Sequence, residues 1–192
     1  MSLAAQALYM TVDDYLGAEQ SSDIRHEYVA GQMFAMAGAG EAHNRIAGNL
    51  FFHLRSATRG TPCGAFISDM KVRVEKHDAF YYPDVLLACD RDDSASIYKQ
   101  SPCLIAEVLS PSTEVIDRRE KLVAYRSLPS LRYYMLVSQE RHRVEFYSLG
   151  DDGIWRHQVF EQEGELQVQC GDLDIRFSLA DVYEDVELAP QG

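Results

Sequence analysis

Apolar side chains recur along this chain with two periods, and the switches between them mark its elements. In TVDDYLGAEQ, residues 11–20, Thr11 stands at a cap position and Tyr15 and Leu16 share an apolar side, which predicts a short helix. RHEYVAGQMFAMAG alternates about a central Ala-Gly pair and predicts a β-hairpin. In GEAHNRIAGNLFFHLRSATRG apolar residues fall at 46, 47, 50, 51 and 54 and Gly60 closes the run, the pattern of an amphipathic helix. AFISDMKVRVE puts Phe66, Ser68, Met70, Val72 and Val74 on one face and predicts one half-buried strand. PDVLLAC and PCLIAEVLS are short, almost wholly apolar and introduced by proline, so they read as central strands covered on both faces.

A helix is expected over residues 117–128, where Asp117 and Glu120 have the spacing of a capping box and Pro129 ends the run. RYYMLVS and RVEFYSL predict two further strands, and IWRHQVF, ELQVQC and DIRFSLADVY three shorter runs. No repeat or low-complexity linker interrupts the 192 residues, so one domain over 1–192 is expected. The order helix, three strands, helix, strand is the skeleton of an α/β (α+β) sandwich around a mixed central sheet flanked by helices, with an N-terminal hairpin and extra C-terminal strands.

Composition adds three constraints. No apolar run reaches the roughly 18 to 20 residues that span a bilayer, and no basic segment leads into an apolar one near the start, so no membrane association and a cytoplasmic location are expected. Cys63, Cys89, Cys103 and Cys170 lack the paired spacing of a zinc site, and Cys89 and Cys103 read as small buried hydrophobes in a reducing compartment. The net charge of −12 argues against a phosphate-rich partner, but −9 of it lies in residues 151–192, while residues 117–143 carry a local +4. A solvated face explains such a run as well as a phosphate track does.

Against this apolar background one residue stands out. Glu107 lies inside LIAEVLS, and a carboxylate buried without a partner costs several kcal/mol or becomes neutral. Asp84 begins the preceding central strand, and neighbouring strands lie about 4.8 Å apart, so matched registers would let Asp84 and Glu107 share a hard divalent cation. Lys121 shares a helical stripe with Tyr125 and Leu128, which turns it either toward those carboxylates or past its apolar neighbours into solvent. Glu27 is either a site residue or an exposed hairpin charge, and His43, on the stripe of Ile46, Ala47, Leu50 and Leu54, reads as a core histidine before a site-facing one. Ser110 and Ser112 read as turn residues, Asp117 as a helix cap rather than a ligand, and His142 as a side chain near the basic run with no evident partner.

YYPDVLL, PCLIAEVLSPST, DRREKLVAY and RYYMLV, in that order, resemble the signature of the Uma family of putative endonucleases, of the PD-(D/E)xK restriction-endonuclease-like superfamily. HEYVAGQMFAM with His43 is similar to that family's N-terminal section and DLDIRFSLADVY to its closing one, so the resemblance covers nearly the whole chain. It implies a restriction-endonuclease-like core and a Mg²⁺-dependent nuclease acting on DNA, with Mn²⁺ as a substitute ion, Asp84 and Glu107 as metal ligands, and a homodimer as the simplest way to cut both strands. The superfamily's lysine would fall two residues after Glu107, where this chain has Leu109. The resemblance implies that Lys121 supplies the ammonium, with Lys71 on an earlier strand as the other candidate. Two other readings stand beside it, a catalytically inactive binding module on the same fold and a hydrolase of smaller phosphoesters.

Overall fold

The computed structural model describes residues 9–188 apart from Ser112, so the turn role expected for Ser112 lies outside the described residues. Helix α1 (Val12–Gln20) starts where Thr11 Oγ1 accepts from the Asp14 N–H at 3.2 Å. Strands β1 (His26–Val29) and β2 (Gln32–Ala35) form the expected hairpin. Its two turn residues, Ala30 and Gly31, have φ of 47° and 85°, the left-handed pair that matches strand twist in a two-residue turn. At Gly31 a side chain is also excluded, because a Cβ would lie 2.3 Å from the Tyr9 ring. Helix α2 (Glu41–Ala57) buries Ile46, Ala47, Leu50 and Leu54.

The predicted strand over AFISDMKVRVE is two strands, β3 (Gly64–Ile67) and β4 (Lys71–Val74), in different sheets. Between them Ser68 takes φ of 57° and Asp69 N–H turns back to the Ile67 carbonyl, a local turn that alternation does not reveal. Phe66, Met70, Val72 and Val74 still pack into one core, which is why they alternate as one strand would. Next come β5 (Ala79–Tyr81), β6 (Val85–Ala88), β7 (Tyr98–Lys99) and β8 (Pro102–Leu109). Every residue of β6 and β8 is buried, as expected of central strands.

The helical crossover after β8 differs from the expected 117–128. It comprises α3 (Glu114–Ile116), a π turn over Asp117–Lys121 and α4 (Leu122–Tyr125). Asp117 is not its cap. The chain turns one step earlier, where Thr113 and Glu114 N–H donate to the Ser110 carbonyl, so Asp117 falls inside the helix and is buried. Strands β9 (Tyr133–Ser138), β10 (Arg143–Leu149), β11 (Trp155–Glu161), β12 (Glu165–Cys170) and β13 (Leu173–Ser178) and helix α5 (Leu179–Val182) complete the chain.

The central sheet has the order β11-β10-β9-β8-β6-β3 and is mixed, with β8 and β9 parallel and the other pairs antiparallel. One face carries Leu104, Ala106 and Val108 against α2 and the β12–β13 hairpin. The other carries Ile105 and Leu109 against Ala124, Tyr125 and Leu128 of the crossover and β4 of the second sheet, β2-β1-β5-β4-β7. The cysteines are not thiols: Cys63 bonds Cys89 and Cys103 bonds Cys170. Antiparallel pairing of Gly64 with Ala88 sets the flanking Cys63 and Cys89 side by side, and the second bond ties β8 to β12 across 67 residues of chain. Among the described residues no helix is long and apolar enough to cross a membrane.

Candidate active site

The antiparallel register of β6 and β8 pairs Val85 with Ala106 and Leu86 with Ile105, and one step further it sets Asp84 opposite Glu107. Both belong to the face covered by the helical crossover, because Val85 and Ala106 point to the other one. Asp84 Oδ2 accepts the Val108 N–H at 2.7 Å, a bond that fixes the Asp84 carboxylate beside the Glu107 backbone. Its Oδ1 lies 2.9 Å from His43 Nε2, at the start of α2. His43 therefore faces the site instead of filling the core.

Glu107 Oε1 accepts from Tyr125 Oη at 2.9 Å and from Lys121 Nζ at 3.3 Å. The same ammonium lies 2.8 Å from Glu27 Oε1, and Glu27 is held by the Tyr82 N–H at 3.2 Å. It also lies 3.3 Å from Asp117 Oδ1, an oxygen out of line for a hydrogen bond. Three carboxylates thus surround one lysine, with Asp84 as a fourth at the rim. Lys71 is elsewhere: its Nζ donates to Tyr82 Oη at 3.2 Å, and that hydroxyl donates to Glu19, which also holds His26. Of the two candidate lysines, Lys121 is the one that meets Glu107.

These side chains floor a cleft of about 560 Å³ walled by residues 34–40, Ser110, Pro111 and Ile116. Side-chain exposure falls from 19% at Asp84 and 15% at Glu27 and His43 to 4% at Glu107 and 2% at Asp117, so water reaches the rim and little of the floor. Burial, reinforced by Asp117, Asp84 and Glu27, pushes the Glu107 carboxyl well above the usual carboxylate range against the pull of Lys121. Burial raises Asp117 as well. Burial works against the Lys121 charge, yet Glu107, Glu27 and Asp117 outweigh it and hold the ammonium protonated. Burial and the Glu107 charge keep the Tyr125 hydroxyl protonated and donating.

Sequence reasoning left one member of this cluster, Glu27, open between two readings and assigned two others, His43 and Asp117, to structural roles. Glu27 alternates with the buried Tyr28 and so had to face away from the Tyr15 ring, a usable signal had the hairpin's partner been known. His43 ends an apolar stripe, where a polar residue meets the edge of a core. Asp117 and Lys121 are spaced i, i+4 on one helical face, a spacing that a cap assignment conceals.

The fold superposes on a crystal structure described as a putative nuclease belonging to DUF820 from Anabaena variabilis, with a TM-score of 0.73 and 16% identity over 91% of this chain and 97% of the other. Fold and site together define a restriction-endonuclease-like α+β protein. The chain belongs to the Uma2 family, described as putative restriction endonucleases, whose sequence model matches residues 12–180. Two uncharacterized proteins of Synechocystis sp. are similar over most of their length. One is 31% identical over 175 residues, covering 91% of each chain, and the other 32% identical over 158 residues, covering 81% of this chain and 89% of the relative.

Proposed function

We propose that this protein is a Mg²⁺-dependent nuclease that hydrolyses phosphodiester bonds in DNA, with Asp84, Glu107 and Lys121 as its catalytic residues. The observation that carries the reading is the charge imbalance on the cleft floor, where Glu27, Glu107 and Asp117 share a single ammonium and Asp84 stands at the rim. An all-oxygen donor set with surplus negative charge suits a hard divalent cation, which takes one or two carboxylates and completes its shell with waters and phosphate oxygens. Among the described residues no three His, Cys, Asp or Glu side chains are grouped so as to hold a metal ion, so an ion here would take protein oxygens from Asp84 and Glu107 and the rest of its shell from water and phosphate. Asp84 and Glu107 would hold the ion, and when bound it supplies phosphate polarisation and a water of lowered pKa.

The chain's own residues do the rest. Lys121 is fixed by Glu27 and Asp117, so its ammonium can orient the attacking water and counter the charge that develops on phosphorus-bound oxygens. His43 and the Val108 N–H set the Asp84 carboxylate, and Tyr125 sets Glu107. The test is nicking of supercoiled plasmid with Mg²⁺ or Mn²⁺. Asp84→Asn and Glu107→Gln are each expected to lower the rate about 10²- to 10³-fold, the range for losing a group that positions transition-state charge. Cleavage by both variants at the parental rate would overturn the residue assignment, and no cleavage by the parent with either ion would leave the fold as a non-catalytic module.

A further inference from the structure

The wall of the cleft is chemically unlike its floor. Strand β2 is the outer strand of the second sheet, and in its register with β1 Phe34 stands directly across from Glu27, the residue whose carboxylate holds Lys121. Directly paired side chains share a face of the ladder, with Cβ atoms roughly 5 Å apart. Phe34 is 50% exposed although it lines the cleft, and Met36 and Ile116, also exposed, line the same wall. Between Phe34 and α2 the wall runs Ala35, Met36, Ala37, Gly38, Ala39, Gly40, without a charge.

Among the described residues lining the cleft, Lys121 is the one lysine or arginine, and three carboxylates already surround it. A protein that grips a duplex does so chiefly through cations on its phosphates, and this cleft has few to offer. An unpaired strand offers something else, the flat faces of its bases, for which an exposed aromatic ring is the standard platform. Resting on the nuclease reading above, we infer that Phe34 stacks on a base next to the scissile phosphate, and that the substrate of this site is a single-stranded or locally unpaired nucleic acid. The apolar wall receives the base while the carboxylate floor takes the phosphate. An unpaired target also removes the need for the two-fold partner that double-strand scission implies.

The test uses the full chain and a single-stranded oligonucleotide carrying 2-aminopurine, with binding read by fluorescence in Ca²⁺ and cleavage in Mg²⁺. Stacking on Phe34 quenches the probe in the parent. Phe34→Ala is expected to lose the quench and to raise KM about tenfold, or about 1.4 kcal/mol, with a smaller change in kcat. Phe34→Trp, which keeps a platform, is expected to retain both. The parent should also prefer a base-bearing strand over an abasic one, a preference that shrinks toward unity in Phe34→Ala. Unaltered quench and KM in Phe34→Ala, or tighter binding of the parent to the paired duplex than to the single strand, would overturn the inference. Asp84→Asn separates this outcome from failure of the underlying reading: if it cuts at the parental rate the nuclease site is wrong, whereas if it binds, quenches and fails to cut, only the Phe34 result decides.

Discussion

Two glutamates occupy the same row of the central sheet and have opposite surroundings. Glu107 on β8 pairs with Leu136 on β9, and Leu136 pairs with Glu145 on β10, so both carboxylates lie on one face beneath the crossover helix. Both are buried. Glu107 shares one ammonium with Glu27 and Asp117. Glu145 Oε1 instead accepts from Arg118 at 2.6 Å and from Arg143, while its Oε2 lies 3.6 Å from His157. Burial raises the Glu145 pKa, but the two arginines outweigh it and hold the carboxyl below its usual range, opposite to Glu107. The same residue type is thus a balanced structural tie near the edge of the sheet's cover in one place and a more deeply enclosed, unbalanced group in the other. Burial is common to both, and what sets Glu107 apart from Glu145 is the uncompensated charge around it.

The largest effect that could break this contrast concerns catalysis. Lys121→Ala is expected to leave metal binding largely intact and to slow plasmid nicking by about 10²-fold or more, because it removes the positioned ammonium and not the ligands. Lys121 is the buried cation shared by Glu27, Glu107 and Asp117, so its loss also costs stability; thermal unfolding of the variant, measured beside its activity, separates a folding defect from a catalytic one. If Lys121→Ala cuts at the parental rate while Lys71→Ala is inactive, the ammonium comes from β4 and the contrast is misplaced.

Next in size is stability. Glu107→Gln keeps a partner for Tyr125 and leaves Lys121 with Glu27 and Asp117, so it relieves like-charge repulsion and is expected to stabilise by about 1 kcal/mol. Glu145→Gln removes the charge that Arg118 and Arg143 share and is expected to cost about 1–3 kcal/mol. For a chain of this size each kcal/mol moves Tm by roughly 2–4 °C, so calorimetry should find shifts of opposite sign. Shifts of the same sign would show that the two rows do not differ in balance.

The smallest effect is in pH, and it sharpens the contrast. For Glu107 the folded pKa is raised, so its charged form burdens the folded state at high pH and the burden is relieved as pH falls from that raised value toward the unfolded value of about 4.3. For Glu145 the folded pKa is depressed, so its stabilisation is full above about 4.3 and is lost as pH falls through the lower, folded value. The Tm difference between parent and Glu107→Gln should therefore close at a higher pH than that between parent and Glu145→Gln. Closure in the reverse order would contradict both directions.

Strands β6 and β8 were readable in the sequence because burial on both faces leaves an unbroken apolar run, and Glu107 was readable because it breaks one. The split of AFISDMKVRVE at Ser68 was hidden because residues on both sides of the turn pack into one core. Asp117 was misread because Asp-x-x-Glu fits a capping box in sequence, while its burial depends on the turn at Ser110. The cystine pairs were hidden by 26 and 67 residues of separation, a closeness that only strand register creates. Glu27 and His43 reach the site from elements whose placement no local pattern encodes.

The π turn over Asp117–Lys121 bears on how relatives can diverge. Its extra residue sets the rotational phase between the two halves of the crossover, since each residue of an α-helix turns it by about 100°. Asp117 looks toward Lys121 while its neighbour Arg118 looks toward Glu145, so a single turn serves both glutamates. Deleting one residue there would restore α geometry and swing one half out of phase, preserving one ion cluster and losing the other. For this chain, removing a residue at that turn is thus a larger change than most substitutions, and the shortened chain would need an ammonium from another element to refill the site.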